Sequence, residues 1–106
     1  SLVAPAASVE ELLILKLLPL RDRDMVDAIG LMLDNPGIDV AAFWRNCERT
    51  GNTDHVTRRL HELEQKLSSG AFRDAWQLEH EEPLNLAEVR SVLERVRKLT
   101  LARTKR

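Results

Sequence analysis

The chain has 106 residues and a mass of 12.1 kDa, which suits one domain and excludes a catalytic domain with a separate binding domain. Sixteen basic against 17 acidic residues leave a formal charge of −1, and the 43% hydrophobic content is close to a globular average, so neither disorder nor nucleic-acid binding over the whole surface is expected. The single cysteine, Cys47, excludes an internal disulfide and a thiolate-rich zinc site, and a reducing, cytoplasmic setting is the expectation.

Few glycines and prolines, no tyrosine and abundant Leu, Glu, Arg and Ala favour helix over strand. Ser8 and Glu11 form a capping box whose helix runs to Leu18, ahead of Pro19. Leucine or isoleucine at 12–15, 17 and 18 leaves that helix no solvent face, which predicts the buried centre of the domain. Residues 9–20 are also interrupted by Glu10, Glu11, Lys16 and Pro19 and fall short of the roughly 20 apolar residues of a membrane span, so no membrane contact and no secretory signal are expected.

Asp22 caps a second helix to about Leu33, with Met25, Ile29 and Met32 in one stripe and a turn at Asn35-Pro36-Gly37. Asp39 caps a third to Thr50, stopped by Gly51, with Val40, Phe43, Trp44 and Cys47 on one side. Thr53 or Asp54 opens a fourth, in which Val56, Leu60, Leu63 and Leu67 recur every three or four residues up to Gly70. Phe72 and Trp76 mark a short fifth helix. Asn85 with Glu88 opens the last, striped by Leu86, Val89, Val92, Leu93, Val96 and Leu99. The prediction is all-α: a compact bundle of about six short helices with a buried N-terminal helix, one domain over residues 1–106, frayed over 1–8 and 101–106. The chain opens at Ser1 without methionine, so upstream sequence is expected, and any first-helix surface left uncovered belongs to a missing domain or a partner.

Lys16 is the one cation in the leucine-rich first helix. Asp24 and Asp27, three apart, share a face of the second helix, and the turn at Pro19 folds that face back beside Lys16. One reading is structural, a buried lysine neutralised by Asp24. The other is chemical, because an ammonium held by carboxylates can neutralise charge on phosphate oxygens.

The run Glu11-Leu-Leu-Ile-Leu-Lys16-Leu-Leu-Pro-Leu-Arg21-Asp-Arg23-Asp24-Met-Val-Asp27 resembles a motif found late in nucleotidyltransferase-fold proteins: apolar residues, a lysine, a short gap, then Arg/Lys-Asp-x-x-Asp. Closest are proteins related to abortive-infection toxins of the type IV toxin–antitoxin class. Leu67-Ser-Ser-Gly-Ala-Phe-Arg-Asp-Ala-Trp76 is similar to their helical tails, so the resemblance covers residues 9–34 and, weakly, 60–80. It implies catalytic supporting roles for Lys16, Asp24 and Asp27 beside a nucleotide pocket, with Lys16, Arg21 and Arg23 as nucleotide contacts and Mg2+ and a nucleotide bound in the parent protein. The family's Gly-Ser pair and its strand-borne metal-binding acids are absent here. The resemblance therefore implies a C-terminal helical portion, not catalytic by itself, whose partner is the N-terminal catalytic domain or another protein. The alternative from another class is a freestanding helical protein–protein interaction module.

The remaining constellations carry less. His55 and His61 are six apart, about 240° around a helix, and no spacing matches a zinc pattern, so no metal ligand is assigned. Cys47 reads as a small core residue, and Phe43, Trp44, Phe72 and Trp76 read as core anchors rather than base-stacking platforms. Basic residues gather at the C-terminal end. They read either as a solvated helix terminus or as a weak RNA, DNA or acidic-partner contact through Arg90, Arg97, Lys98 and Arg103.

Overall fold

The computed structural model describes residues 7–104. Six α-helices are formed among them: α1 Val9–Leu17, α2 Asp22–Asp34, α3 Val40–Arg49, α4 Thr53–Ser69, α5 Arg73–Glu79 and α6 Leu86–Thr104. No strand occurs among the described residues, and the class is all-α, as the apolar periodicity predicts.

The helix starts follow from short-range hydrogen bonding. Ser8 Oγ accepts from Glu11 N at 3.1 Å, and Asp39 Oδ1 accepts from Ala42 N at 3.0 Å. Asn85 and Glu88 form a reciprocal capping box, with Glu88 N donating to Asn85 Oδ1 at 2.8 Å and Asn85 N to Glu88 Oε1 at 3.1 Å. At α2 the expected Asp22 cap gives way to another device. Arg21 takes the N-cap position, and Asp24 reaches back one turn so that its Oδ2 accepts from Arg21 N at 3.1 Å. Gly51 and Gly70 stop α3 and α4 with φ of 72° and 82°, where a Cβ would be strained.

The apolar stripes close into one core. Leu13 and Leu17 of α1 meet Met25, Ile29 and Met32 of α2, Phe43 and Cys47 of α3, Leu60 and Leu63 of α4, and Val92, Val96 and Leu99 of α6. α4 and α6 share the most extensive contact, followed by α1 with α2 and α1 with α3. Trp44 ties α3 to α6. It is buried, stands edge-on to Phe43 at 5.0 Å, and donates its indole Nε1 to the carbonyl of Leu99 at 3.0 Å. Phe72 and Trp76 are buried as well, so all four aromatics anchor the core.

One expectation needs correction. α1 is not buried all round: α2, α3 and α4 cover the face of Leu13, Ile14 and Leu17, while Leu15 is 60% and Leu12 36% exposed on the uncovered side. Of the stretch expected to fray at 101–106, residues 101–104 are described. α6 continues through Thr104, because Leu99 and the half-buried Ala102 keep its last turns packed on the core. Of the predicted fray at 1–8, residues 1–6 lie outside the described residues, and Ser8 is held as the α1 cap.

The connection from α1 to α2 is tight. Leu20 adopts φ 43°, a left-handed conformation that costs a leucine about 1–3 kcal/mol, and it is held there by burial of its side chain. Its amide donates to Lys16 O at 3.2 Å, and Arg59 Nε of α4 donates to the free Leu18 carbonyl at 3.0 Å. Farther along α2, Gly30 lies in the helix interior, where glycine costs about 1 kcal/mol relative to alanine, and a Cβ there would meet nothing within 4 Å.

Replacing Trp44 by Phe removes the indole donor and leaves a gap beside Leu99. A loss of about 1–3 kcal/mol in urea unfolding is expected.

Candidate functional site

The corner between α1 and α2 brings four of the motif's charged residues close as two separate pairs. Lys16 Nζ lies 2.8 Å from Asp27 Oδ2, each side chain being 35% exposed. Asp24 is buried and belongs to a different pair: its Oδ2 accepts from Arg21 Nε at 2.8 Å as well as from the Arg21 backbone. The expected neutralisation of a buried Lys16 by Asp24 is therefore incorrect. Side chains on a helix lean toward its N-terminus, which turns Asp24 back to the orphan amide of Arg21, and Asp27, one turn on, is the carboxylate that faces α1.

The electrostatics match this division. The Asp24 carboxyl is held below its ordinary range, first by the hydrogen bond from the Arg21 guanidinium, against an opposing cost of burial, and then by the Arg21 amide and the Arg21 charge; the field of Lys16 is the smallest contribution. The same hydrogen bond raises the pKa of Arg21. Arg21 and Arg23 themselves stand in solvent at the start of α2, and Arg23 Nε reaches Glu79 Oε1 of α5 only at 4.0 Å.

Lys16 and Asp27 form part of the wall of an open groove of about 390 Å³. Its lining adds Leu12 from α1, Val26, Gly30, Leu31 and Asp34 from α2, and Glu79 and His80 from the end of α5. His80 stacks flat on Trp76, with ring centroids 3.8 Å apart and planes 6° from parallel. Three carboxylates thus face one lysine. The alignment of Asp27, Gly30 and Asp34 on one face of α2 is readable from their spacing, whereas the approach of Glu79 and His80 depends on how α5 packs on α2.

No described His, Cys, Asp or Glu residues gather in a group of three placed to hold a metal ion. Cys47 is fully buried in the core, and burial pushes its thiol up to about 11, with the Glu48 charge adding to the shift. A thiolate nucleophile is therefore not available near neutral pH.

The basic end of α6 divides in two. Arg90 and Lys98 are exposed, and Arg97 Nε pairs with Glu64 Oε1 of α4 at 2.9 Å. Arg103 does not share their face: it follows Leu99 by four residues on the inward stripe, and its Nε is buried without a hydrogen-bond partner.

Comparison with known proteins adds no relative: no family model matches the chain, and neither a curated protein nor a solved structure matches it.

Two measurements follow from the pairings. Asp24→Ala removes a buried, hydrogen-bonded carboxylate and is expected to cost about 1–3 kcal/mol, whereas Asp27→Ala breaks a half-exposed pair and costs under about 1 kcal/mol. Because the folded pKa of Asp24 lies below its ordinary value of 3.8, its contribution is present above that pH and is lost as pH falls through the folded value; Asp24→Asn should flatten the acid limb of stability against pH. Separately, alkylation of Cys47 at pH 8 should proceed only as fast as the protein opens, so that added urea accelerates it steeply.

Proposed function

We propose that this chain is a helical domain that flanks the active site of a nucleotidyltransferase-like protein and is not catalytic by itself. The observation that supports this reading best is the Lys16–Asp27 pair: the motif's lysine and its last aspartate meet at 2.8 Å in the wall of an open groove, each still one-third exposed. At that exposure an ion pair contributes little to folding, which is a weak reason to place a lysine in a leucine-rich helix. The uncovered Leu12 and Leu15 of the same helix support the reading further, since a neighbouring domain would bury them.

In this proposal Lys16 exchanges part of its contact with Asp27 for a phosphate oxygen, and Asp27 orients the ammonium. Asp24 keeps its contact with Arg21 and fixes the start of α2, while Arg21 and Arg23 approach the phosphates from solvent. A nucleotide and Mg2+ would be held mainly by the rest of the protein, because no described group of three ligands is placed for a metal. Arg90, Arg97 and Lys98 would make a weak contact to an RNA acceptor.

A second reading, a freestanding protein-interaction module, is favoured by the charge of the groove, in which three carboxylates against one lysine are a poor match for a polyphosphate. Nucleotide incorporation by the whole protein separates the two. Lys16→Ala and Asp27→Asn should each lower kcat by about tenfold or more with the melting temperature unchanged, and an unchanged rate would leave the interaction module. If the α6 contacts are made, RNA affinity should fall with salt at a log–log slope of roughly 2 to 3, as three phosphate contacts require, and no binding at low salt would remove RNA from the account.

A further inference from the structure

We infer that the groove between α1, α2 and the end of α5 is a docking site for a basic amphipathic helix of a partner protein. The first observation is Gly30. It lies inside α2 with ordinary helical neighbours, ends no helix, makes no turn, and among the described residues nothing comes within 4 Å of the place of its missing Cβ. Yet it faces the groove, flanked by Leu12 and Leu31. A glycine that weakens its own helix and packs on none of the described residues is explained by a neighbour that needs the backbone bare, because only there can a second helix approach closely.

The groove's length and charge describe that neighbour. From Val26 to Asp34 the α2 side of the groove runs eight residues, about 12 Å, which matches two turns of a second helix. The lining joins apolar Leu12, Val26 and Leu31 to Asp34 and Glu79; Arg23 comes no nearer than 4.0 Å to Glu79, and Lys16, the lysine in the lining, is already engaged by Asp27. A fitting helix presents apolar residues at i, i+4 and i+7 over Gly30, with lysine or arginine on its flanks. An acidic helix would meet like charge at Asp34 and Glu79. The inference does not depend on nucleotidyl transfer: it is tested on this chain alone, and loss of catalysis in Lys16 variants bears only on the other reading.

The probe is a fluorescently labelled 15-residue helical peptide with leucine at i, i+4, i+7 and i+11 and lysine on both flanks. Its control carries glutamate in place of every lysine. Anisotropy titration against the chain should show saturable binding of the lysine peptide, at least about tenfold tighter than the glutamate peptide and weakening with salt. Amide shift changes in a ¹⁵N spectrum should centre on Gly30, Leu31 and His80.

Gly30→Leu should raise the melting temperature by a few degrees, because it restores helix propensity into open space, and should weaken peptide binding at least about tenfold. Asp34→Lys combined with Glu79→Lys should reverse the peptide preference. Equal binding of both peptides, shift changes elsewhere, or undiminished binding to a folded Gly30→Leu variant would each overturn the inference. So would salt-sensitive self-association of the chain that Gly30→Leu abolishes, since the occupant would then be a second copy.

Discussion

Everything that distinguishes this bundle from a generic helical domain passes through the reversal between α1 and α2. A leucine held at φ 43° is unfavourable by itself, and three contacts offset the cost: burial of the Leu20 side chain, its amide bonded to Lys16 O, and Arg59 reaching across from α4 to the Leu18 carbonyl. Asp24 then secures the first amide of the next helix. Because the chain turns in so few residues, Lys16 and Asp27 face each other across the two helices instead of reaching separately into solvent.

The same reversal decides which surfaces stay open. With α2, α3 and α4 against its inner face, α1 leaves Leu12 and Leu15 uncovered among the described residues, Leu15 beside α3 and Leu12 in the groove toward α2 and the end of α5. That groove combines apolar and acidic residues with one engaged lysine. Burial thus separates the polar groups into two kinds. Asp24 is withdrawn and tuned by a single strong partner, while Asp27, Asp34, Glu79 and His80 remain accessible to whatever approaches.

Much of the architecture could be read from local chemistry, because helix starts and stops are written in short range: Ser8, Asp39 and Asn85 cap as their spacing implies, and Gly51 and Gly70 end their helices in the left-handed region. The aromatics and Cys47 were equally legible, since their helical spacing places them on inward stripes. Reading failed where two local solutions compete. Asp22 has the chemistry of an N-cap, yet Asp24 supplies the acceptor from inside the helix, and once it is used there it is no longer free for Lys16. The count of leucines in α1 suggested burial on every side, but composition does not say how many neighbours a helix will find. Glu79 and His80 enter the groove through tertiary packing alone, and Arg103 departs from the basic face because helical phase, not charge, sets its direction.

The rigidity of the α1–α2 reversal is the claim on which the rest stands, and native-state hydrogen exchange tests it most directly. The amides of Leu20, Arg21 and Met25 donate to Lys16 O, the Asp24 carboxylate and Arg21 O respectively, although Arg21, Asp22 and Arg23 between them are exposed. If the reversal is fixed by the core, these three amides should exchange only through global opening, with the same free energy as urea unfolding of the whole domain. Exchange at rates typical of exposed turns, while the amides in the middle of α4 remain protected, would mean that the corner opens locally and that the Lys16–Asp27 geometry is not built into the fold.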